Sequence, residues 1–346
     1  MRFKSFLQAL TRAKCDGLLI TNPLNIAYLT GFTKSQGYLI ITREGRKIYF
    51  TNPIYKDIAK SFKGWEVIVK NPGSNILGLV AKIIKRMRFT NLGFEEKNIS
   101  YANYRFLREA FSQTNIELKA TGNLVEILRM VKTPKELRFI RKSAQITKEA
   151  LCFIEETFHP ALREKDLSLN IDRFLRQKGD NETAFSTIVA AGSNTAFAHH
   201  IPTELKIGSN FFLTDLGSKY YGYCADLTRV FFWGKMPLLF KKIYATVQKA
   251  QELSLKKIKE GVKASDIDKA ARNFIERKGW GKNFTHGLGH GVGLEVHELP
   301  SLSPKSDIIL KKGMVVTVEP AIYIKGKFGV RLEKMVLVKE NSQEVL

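Results

Sequence analysis

The sequence predicts an α+β protein of two domains, and three observations carry that reading. The chain has 346 residues, more than one hydrophobic core usually organises. Its first ~120 residues alternate short apolar runs with amphipathic stretches. Beyond a proline-capped helix start at Thr133, helices interleave with strand runs that read as hairpins, which favours an α+β sheet domain over a parallel doubly wound one.

In the first domain the apolar runs Gly17–Ile20, Gly37–Thr42, Lys47–Phe50 and Glu66–Val69 predict strands. Helical periodicity runs from Asn75 to Arg88 and again from Tyr101 to Phe111, and Ile116–Lys119 predicts a closing strand. The result is a small α/β domain whose glycines form neither a dinucleotide fingerprint nor a P-loop. A boundary falls within Thr121–Thr133, and the domains are placed at 1–125 and 126–346. Thr133-Pro134-Lys135-Glu136 supplies an N-cap, a proline at the first helical position and the glutamate of a capping box. Leu137, Ile140, Ala144, Ile146, Leu151 and Ile154 continue at helical spacing. Further helices are predicted at Arg163–Lys178, Leu238–Lys259 and Ser265–Lys278, and strands at Thr183–Ala191, Phe211–Leu216, Tyr223–Trp233, Val315–Ile324 and Val330–Val338.

Composition excludes several classes. Hydrophobic residues at 44% and charged residues at 26% suit a globular chain with a real core. Lysine and arginine outnumber acids 56 to 33, but the basic residues are scattered over predicted helix faces, and no zinc-finger, aromatic RNP or basic-zipper pattern accompanies them. Solvated faces are expected, and no nucleic acid partner. Cys15, Cys152 and Cys224 form neither a disulfide framework nor a C-x-x-C pair. With no secretory pattern and no apolar run near ~18 residues, a cytoplasmic protein without a membrane partner is expected.

Acids are the minority here, yet four of them stand inside apolar strand runs, where an unpaired carboxylate is costly. Asp215 ends Phe211-Phe212-Leu213-Thr214, and Asp226 follows Tyr223-Cys224-Ala225. A turn over Gly217–Gly222 lets these two face each other across a hairpin within ~5.5 Å. Glu319 follows Val315-Val316-Thr317-Val318, and Glu333 follows Val330-Arg331-Leu332. Four carboxylates in one core demand compensating cations. Three of the six histidines, His286, His290 and His297, lie within a glycine-rich run of twelve residues. Oxygen donors with one imidazole and no thiolate select a hard divalent ion, manganese before cobalt, iron or zinc. Two such ions lower the pKa of a shared water, which is hydrolytic chemistry. Cys224 shares the strand face of Asp226 by alternation and is expected to be a small core filler.

The chain resembles the pita-bread metallopeptidases, in their aminopeptidase P and prolidase branch. The matching stretches are Ala198-His199-His200-Ile201-Pro202-Thr203, Thr214-Asp215-Leu216-Gly217, Ala225-Asp226-Leu227-Thr228-Arg229, the run from His286 to Pro300, Val318-Glu319-Pro320 and Gly329-Val330-Arg331-Leu332-Glu333. The resemblance implies a creatinase-like N-terminal α/β domain, serving as lid and dimerisation element, ahead of a pita-bread catalytic domain. It implies two divalent ions held by Asp215, Asp226, His290, Glu319 and Glu333, with Asp226 and Glu333 bridging. It also implies active-site roles for His199, His286 and His297, proton transfer by Glu319, and a supporting role for Arg331 and Tyr323. The expected reaction is hydrolysis of the Xaa-Pro bond of a peptide with proline at the second position, by a homodimer acting as dipeptidase or aminopeptidase. Ala321, Lys334, Ala198 and His200 depart from the usual family residues without removing a ligand; the family often has glycine at the position of His200. His199, rather than His200, aligns with the family histidine on the position of Pro202-Thr203. A metal-free pita-bread binding module is the alternative, and its mark would be lost ligands.

Overall fold

The structure is a computed structural model that describes residues 2–32, 36–208, 211–233 and 236–346. The chain divides into two compact units, Met1–Arg129 and Met130–Leu346.

In the first unit β1 (Gly17–Ile20), β2 (Gly37–Thr42), β3 (Lys47–Thr51), β4 (Glu66–Val69), β5 (Asn91–Phe94) and β6 (Glu117–Ala120) form one mixed sheet. Its order is β4-β3-β2-β1-β5-β6, antiparallel at β1–β2 and β2–β3 and parallel elsewhere. Period-two alternation fills both faces. Leu19, Ile40, Ile48 and Phe50 face α4 (Ile76–Arg86) and α5 (Tyr101–Phe111), while Leu18, Ile20, Leu39, Ile41 and Tyr49 face α1 (Arg2–Arg12), α2 (Pro23–Thr30) and α6 (Leu124–Met130). Sequence reading assigned no element to α1, α2, α3 (Lys56–Lys60), α6 or β5. Of these, α2 carries plain signals: Asn22 caps it by accepting from Leu24 N, Pro23 opens it, and Gly31 ends it at φ 78°.

The second unit opens with α7 (Pro134–Thr157), where the Thr133 and Glu136 capping box is formed. With α8 (Glu164–Lys178) it packs Ile146, Ile154, Leu167 and Ile171 against Val189, Phe212 and Leu216 of a three-stranded sheet. That sheet has β8 (Phe211–Leu216) between β7 (Ile188–Ala191) and β11 (Leu227–Phe232). A small hairpin of β9 (Lys219–Tyr220) and β10 (Tyr223–Cys224) precedes β11. Its two turn residues, Tyr221 and Gly222, both have positive φ, and Asp180 accepts from both of their amides. The other helix pair, α9 (Leu238–Leu255) and α10 (Ala264–Arg277), packs Phe240, Ile243, Val247, Ile267 and Ile275 against Val316, Val318, Val336 and Val338. Those valines belong to a five-stranded sheet ordered β13-β12-β14-β17-β18, from β12 (Gly289–Gly291), β13 (Glu298–Leu302), β14 (Val315–Val318), β17 (Lys334–Val338) and β18 (Gln343–Val345). A separate ladder joins β15 (Ala321–Ile324) to β16 (Phe328–Arg331).

Three of the predicted strands are therefore broken. The run 223–233 divides into β10 and β11, 315–324 into β14 and β15, and 330–338 into β16 and β17. Each break exposes backbone groups that need new partners. Gln251 of α9 donates its amide to the carbonyls of Val318 and Leu332, and Arg229 donates to the carbonyls of Thr228 and Glu333.

Candidate active site

Three of the four carboxylates stand at these breaks. Asp226 lies between β10 and β11, Glu319 between β14 and β15, and Glu333 between β16 and β17; Asp215 is the last residue but one of β8. Glu319 and Glu333 face each other, because Val318 pairs with Lys334 on one side of the gap and Ala321 with Arg331 on the other. The expected cross-strand pairing of Asp215 with Asp226 is different. Asp215 pairs with Thr228, and Asp226 approaches it from just beyond the ladder.

Three overlapping groups have ligand atoms within 4.8 Å of one another: Asp215, Asp226 and Glu333; His290, Glu319 and Glu333; and Asp226, His290 and His297. Thus all five expected ligands come together, and His297 joins one of the groups. Asp226 and Glu333 are buried at 5% and 1% exposure, and oxygens Oδ1 of Asp215 and Oε1 of Glu333 are buried without a hydrogen-bond partner. Burial first, then repulsion from neighbouring carboxylates, pushes Asp226 and Glu333 well above the usual carboxylate range. Burial opposes ionisation of Glu319 too, yet the His290 hydrogen bond and charge hold it below its ordinary value. Orphaned oxygens in an acid cluster that repels itself are what a divalent cation satisfies, and the oxygen-rich donor set fits a hard ion.

The imidazoles are oriented from behind. His290 places Nδ1 3.2 Å from the Gly291 carbonyl and turns Nε2 toward Glu319 at 3.2 Å and Asp226 at 3.5 Å. His286 places Nδ1 2.7 Å from its neighbour's carbonyl on Gly287, leaving Nε2 3.4 Å from the Tyr323 hydroxyl. Burial lowers the pKa of His286, so a neutral ring with Nδ1 donating and Nε2 accepting is the consistent form. Arg331 connects the parts: it donates to Tyr323 Oη at 2.7 Å, Asp215 Oδ2 at 2.6 Å, Thr228 Oγ1 at 3.0 Å and the Ala198 carbonyl at 3.1 Å. These residues line a cavity of about 700 Å³, walled on its apolar side by Phe185, Ile188 and Ile201. His199 and His297 lie on it exposed. His200 also reaches the cavity wall, but its Nε2 is engaged by Glu164 at 2.8 Å.

The sequence and fold match known proteins along the chain. Residues 138–340 match the family model of metallopeptidase family M24, and residues 2–131 that of the creatinase/prolidase N-terminal domain. The chain belongs to metallopeptidase family M24. It is a metallopeptidase with a creatinase-type N-terminal domain and a pita-bread second domain. Its M24 relatives include an Xaa-Pro dipeptidase of Pyrococcus horikoshii, 31% identical over 355 residues that cover 100% of this chain and 96% of the relative. The solved Xaa-Pro dipeptidase from Bacillus anthracis superimposes with a TM-score of 0.94 at 35% identity, covering 99% of this chain and 96% of that one. An X-Pro aminopeptidase from Thermotoga maritima gives 0.85 at 32% identity, with coverage of 98% and 97%.

Several residues that shape this M24 site were not singled out from the sequence. Asp268, fully buried on α10, accepts from Leu288 N and from Arg272, and Arg272 donates to the carbonyls of Phe284 and His286. This pair fixes the backbone that carries His286, but four residues apart on a helix it reads as an exposed ion pair. Lys132 and Glu298 form a buried pair at 2.7 Å beside His297. Gly289 and Gly291 owe their place to close packing: a Cβ would lie 2.2 Å from the Thr317 carbonyl at the first and 2.3 Å from that of Leu299 at the second. Cys224 is core filler, buried, with its thiol pushed up to about 12 by desolvation.

Proposed function

We propose that this peptidase hydrolyses the bond between a first residue and a following proline, using two divalent cations, manganese foremost, held by Asp215, Asp226, His290, Glu319 and Glu333. One observation supports the two-ion reading: the four carboxylates and His290 fall into three overlapping ligand groups, with Asp226, Glu333 and His290 each in two of them, a donor set that would serve two neighbouring ions. Bound there, the cations would act as Lewis acids that make a water nucleophilic at neutral pH and polarise the scissile carbonyl.

The chain's own residues supply the rest. Glu319 takes the proton of the attacking water and passes it to the leaving proline nitrogen. His297, exposed at the cavity, donates to the oxygen that becomes negative in the tetrahedral intermediate. His199 contacts the substrate near the scissile bond. Arg331 holds Asp215 and Tyr323 in place, and Tyr323 in turn steadies His286. The relatives named above include both Xaa-Pro dipeptidases and an X-Pro aminopeptidase, and we place this chain with the dipeptidases. In this reading the N-terminal domain is the lid and dimerisation element of a cytoplasmic homodimer. No helix among the described residues is long and apolar enough to cross a membrane.

The deciding experiment is hydrolysis of an Xaa-Pro dipeptide and an Xaa-Pro-Xaa tripeptide by metal-stripped protein, with and without added manganese. Manganese-dependent cleavage with the dipeptide faster is expected. A faster tripeptide makes the enzyme an aminopeptidase, and no cleavage of either with any divalent ion overturns the proline-directed reading.

A further inference from the structure

Glu164 is fully buried at the first turn of α8, and no step of the proposed reaction uses it. A buried carboxylate is retained only with several donors around it, and this one has five. Oε1 accepts from Ala191 N at 2.7 Å and Asn194 Nδ2 at 2.9 Å. Oε2 accepts from His200 Nε2 at 2.8 Å, Thr203 N at 3.0 Å and Thr203 Oγ1 at 2.7 Å. Burial opposes its ionisation, but these donors outweigh it and hold the carboxyl below the ordinary glutamate value.

The five donors are not scattered. Ala191 and Asn194 lie where the chain leaves β7, and His200 and Thr203 where it returns to α8, so one carboxylate closes the intervening segment. The return is held a second time. The otherwise unpaired first amides of α8, on Glu164 and Lys165, donate to the carbonyls of Leu205 and Thr203. The far side of the segment is tied to the metal-side residues, through Gly329 N donating to Thr195 Oγ1 and Arg331 donating to the Ala198 carbonyl. His199 sits between Ala198 and His200. One neighbour is held by Arg331 and the other by Glu164.

We infer that Glu164, acting through His200 and Thr203, is the positioning residue that sets His199 against the substrate, an inference that rests on the substrate-contacting role proposed above for His199. His200 supplies the imidazole part of the device. Its imidazole adds a charge-assisted bond directly beside His199, and Nε2 must carry the proton that it donates to the carboxylate. A carboxylate in this place is not equivalent to an amide: Glu164→Gln turns two N–H donors toward donors that were already spent on the carboxylate.

The test uses the full chain in two arms. Without any substrate, side-chain proton–nitrogen spectra of the histidines should show His200 protonated at Nε2. In Glu164→Gln that signal should be lost and the His199 resonances should move. His200→Phe and Thr203→Val keep the buried carboxylate and should move His199 in the same direction, so a misfolded Glu164→Gln does not decide the matter. With manganese saturating, Glu164→Gln should lower kcat for an Xaa-Pro dipeptide about 10–100-fold, as loss of a supporting hydrogen bond commonly does, with metal content per chain unchanged. In a His199→Ala background the same change should cost less than about twofold. Unmoved His199 resonances in all three variants, or losses from Glu164→Gln and His199→Ala that multiply, would overturn the inference. A wild-type chain inactive on every Xaa-Pro peptide sinks the proposed function instead, and the spectra still decide what Glu164 positions.

Discussion

Glu333 has one oxygen bound by the Thr228 hydroxyl at 2.8 Å and the other buried without a partner. Its pKa lies well above the ordinary value because of burial and the charges of Glu319 and Asp215. A carboxyl with a raised folded pKa favours folding less as pH climbs from the unfolded pKa toward the folded one. The metal-free protein therefore bears this cost at neutral pH, and a bound cation removes it. Glu333→Gln should then act in opposite directions: a thermal midpoint a few degrees higher than wild type in chelator, at about 2–4 °C per kcal/mol for a domain of this size, and one well below wild type in manganese. Thermal scans under both conditions check this, and a variant that loses equally with and without metal contradicts the ligand role. At this scale the four carboxylates were legible as acids out of place in apolar runs, and His290 as part of a glycine-rich cluster. Glu164, Asp268 and Gln251 were not, since each sits on a helix among ordinary polar residues, and nothing local reveals that its side chain points inward.

Among the elements, the strand interruptions do most to build the site. The apolar alternation of 315–324 is the same whether the run stays in one sheet or passes from one ladder to another, so periodicity predicts a single strand. This break is stabilised by Gln251, which also serves the break at 330–338 together with Arg229, and no single window of sequence includes these partners. A comparable long-range tie orders the N-terminal sheet. Asp16, just before β1, accepts at Oδ2 from Thr90 N at 2.7 Å, Thr90 Oγ1 at 2.9 Å and Asn91 N at 2.9 Å, fixing the start of β5. Burial works against its charge, but these donors hold the carboxyl below its ordinary value. A depressed carboxylate contributes stability above its unfolded pKa and loses it as pH falls through the folded one. Asp16→Asn should thus cost about 1–2 kcal/mol at pH 7, with the difference from wild type shrinking below pH ~4. Urea unfolding of both proteins across that range is the check, and a gap independent of pH would show that the charge is immaterial.

On the scale of the whole molecule, the family members' two-domain plan spans the entire chain, and the proposed dimer is the untried part of it. Sedimentation of the manganese-loaded protein should give twice the chain mass at micromolar concentration; a fully active monomer would refute the proposed homodimer. Surface ion pairs such as Arg46 with Glu66 and Arg163 with Glu204, each worth little, match bases with acids and leave the basic surplus, 56 against 33, unchanged.

By itself the sequence determined the two-domain α+β plan, the helix start at Thr133, the four misplaced carboxylates and the histidine-rich glycine run, because caps, periodicity and misplaced charge are local signals; His199, Arg331 and Tyr323 were singled out only by the family resemblance. The tertiary structure alone decided that Asp226, Glu319 and Glu333 fall where strands change partners, that Asp215 pairs with Thr228, and that His200 turns to Glu164 while His199 is left to the cavity. Those outcomes depend on hydrogen-bond partners up to a hundred or more residues away, and burying a polar group is affordable only where such partners converge.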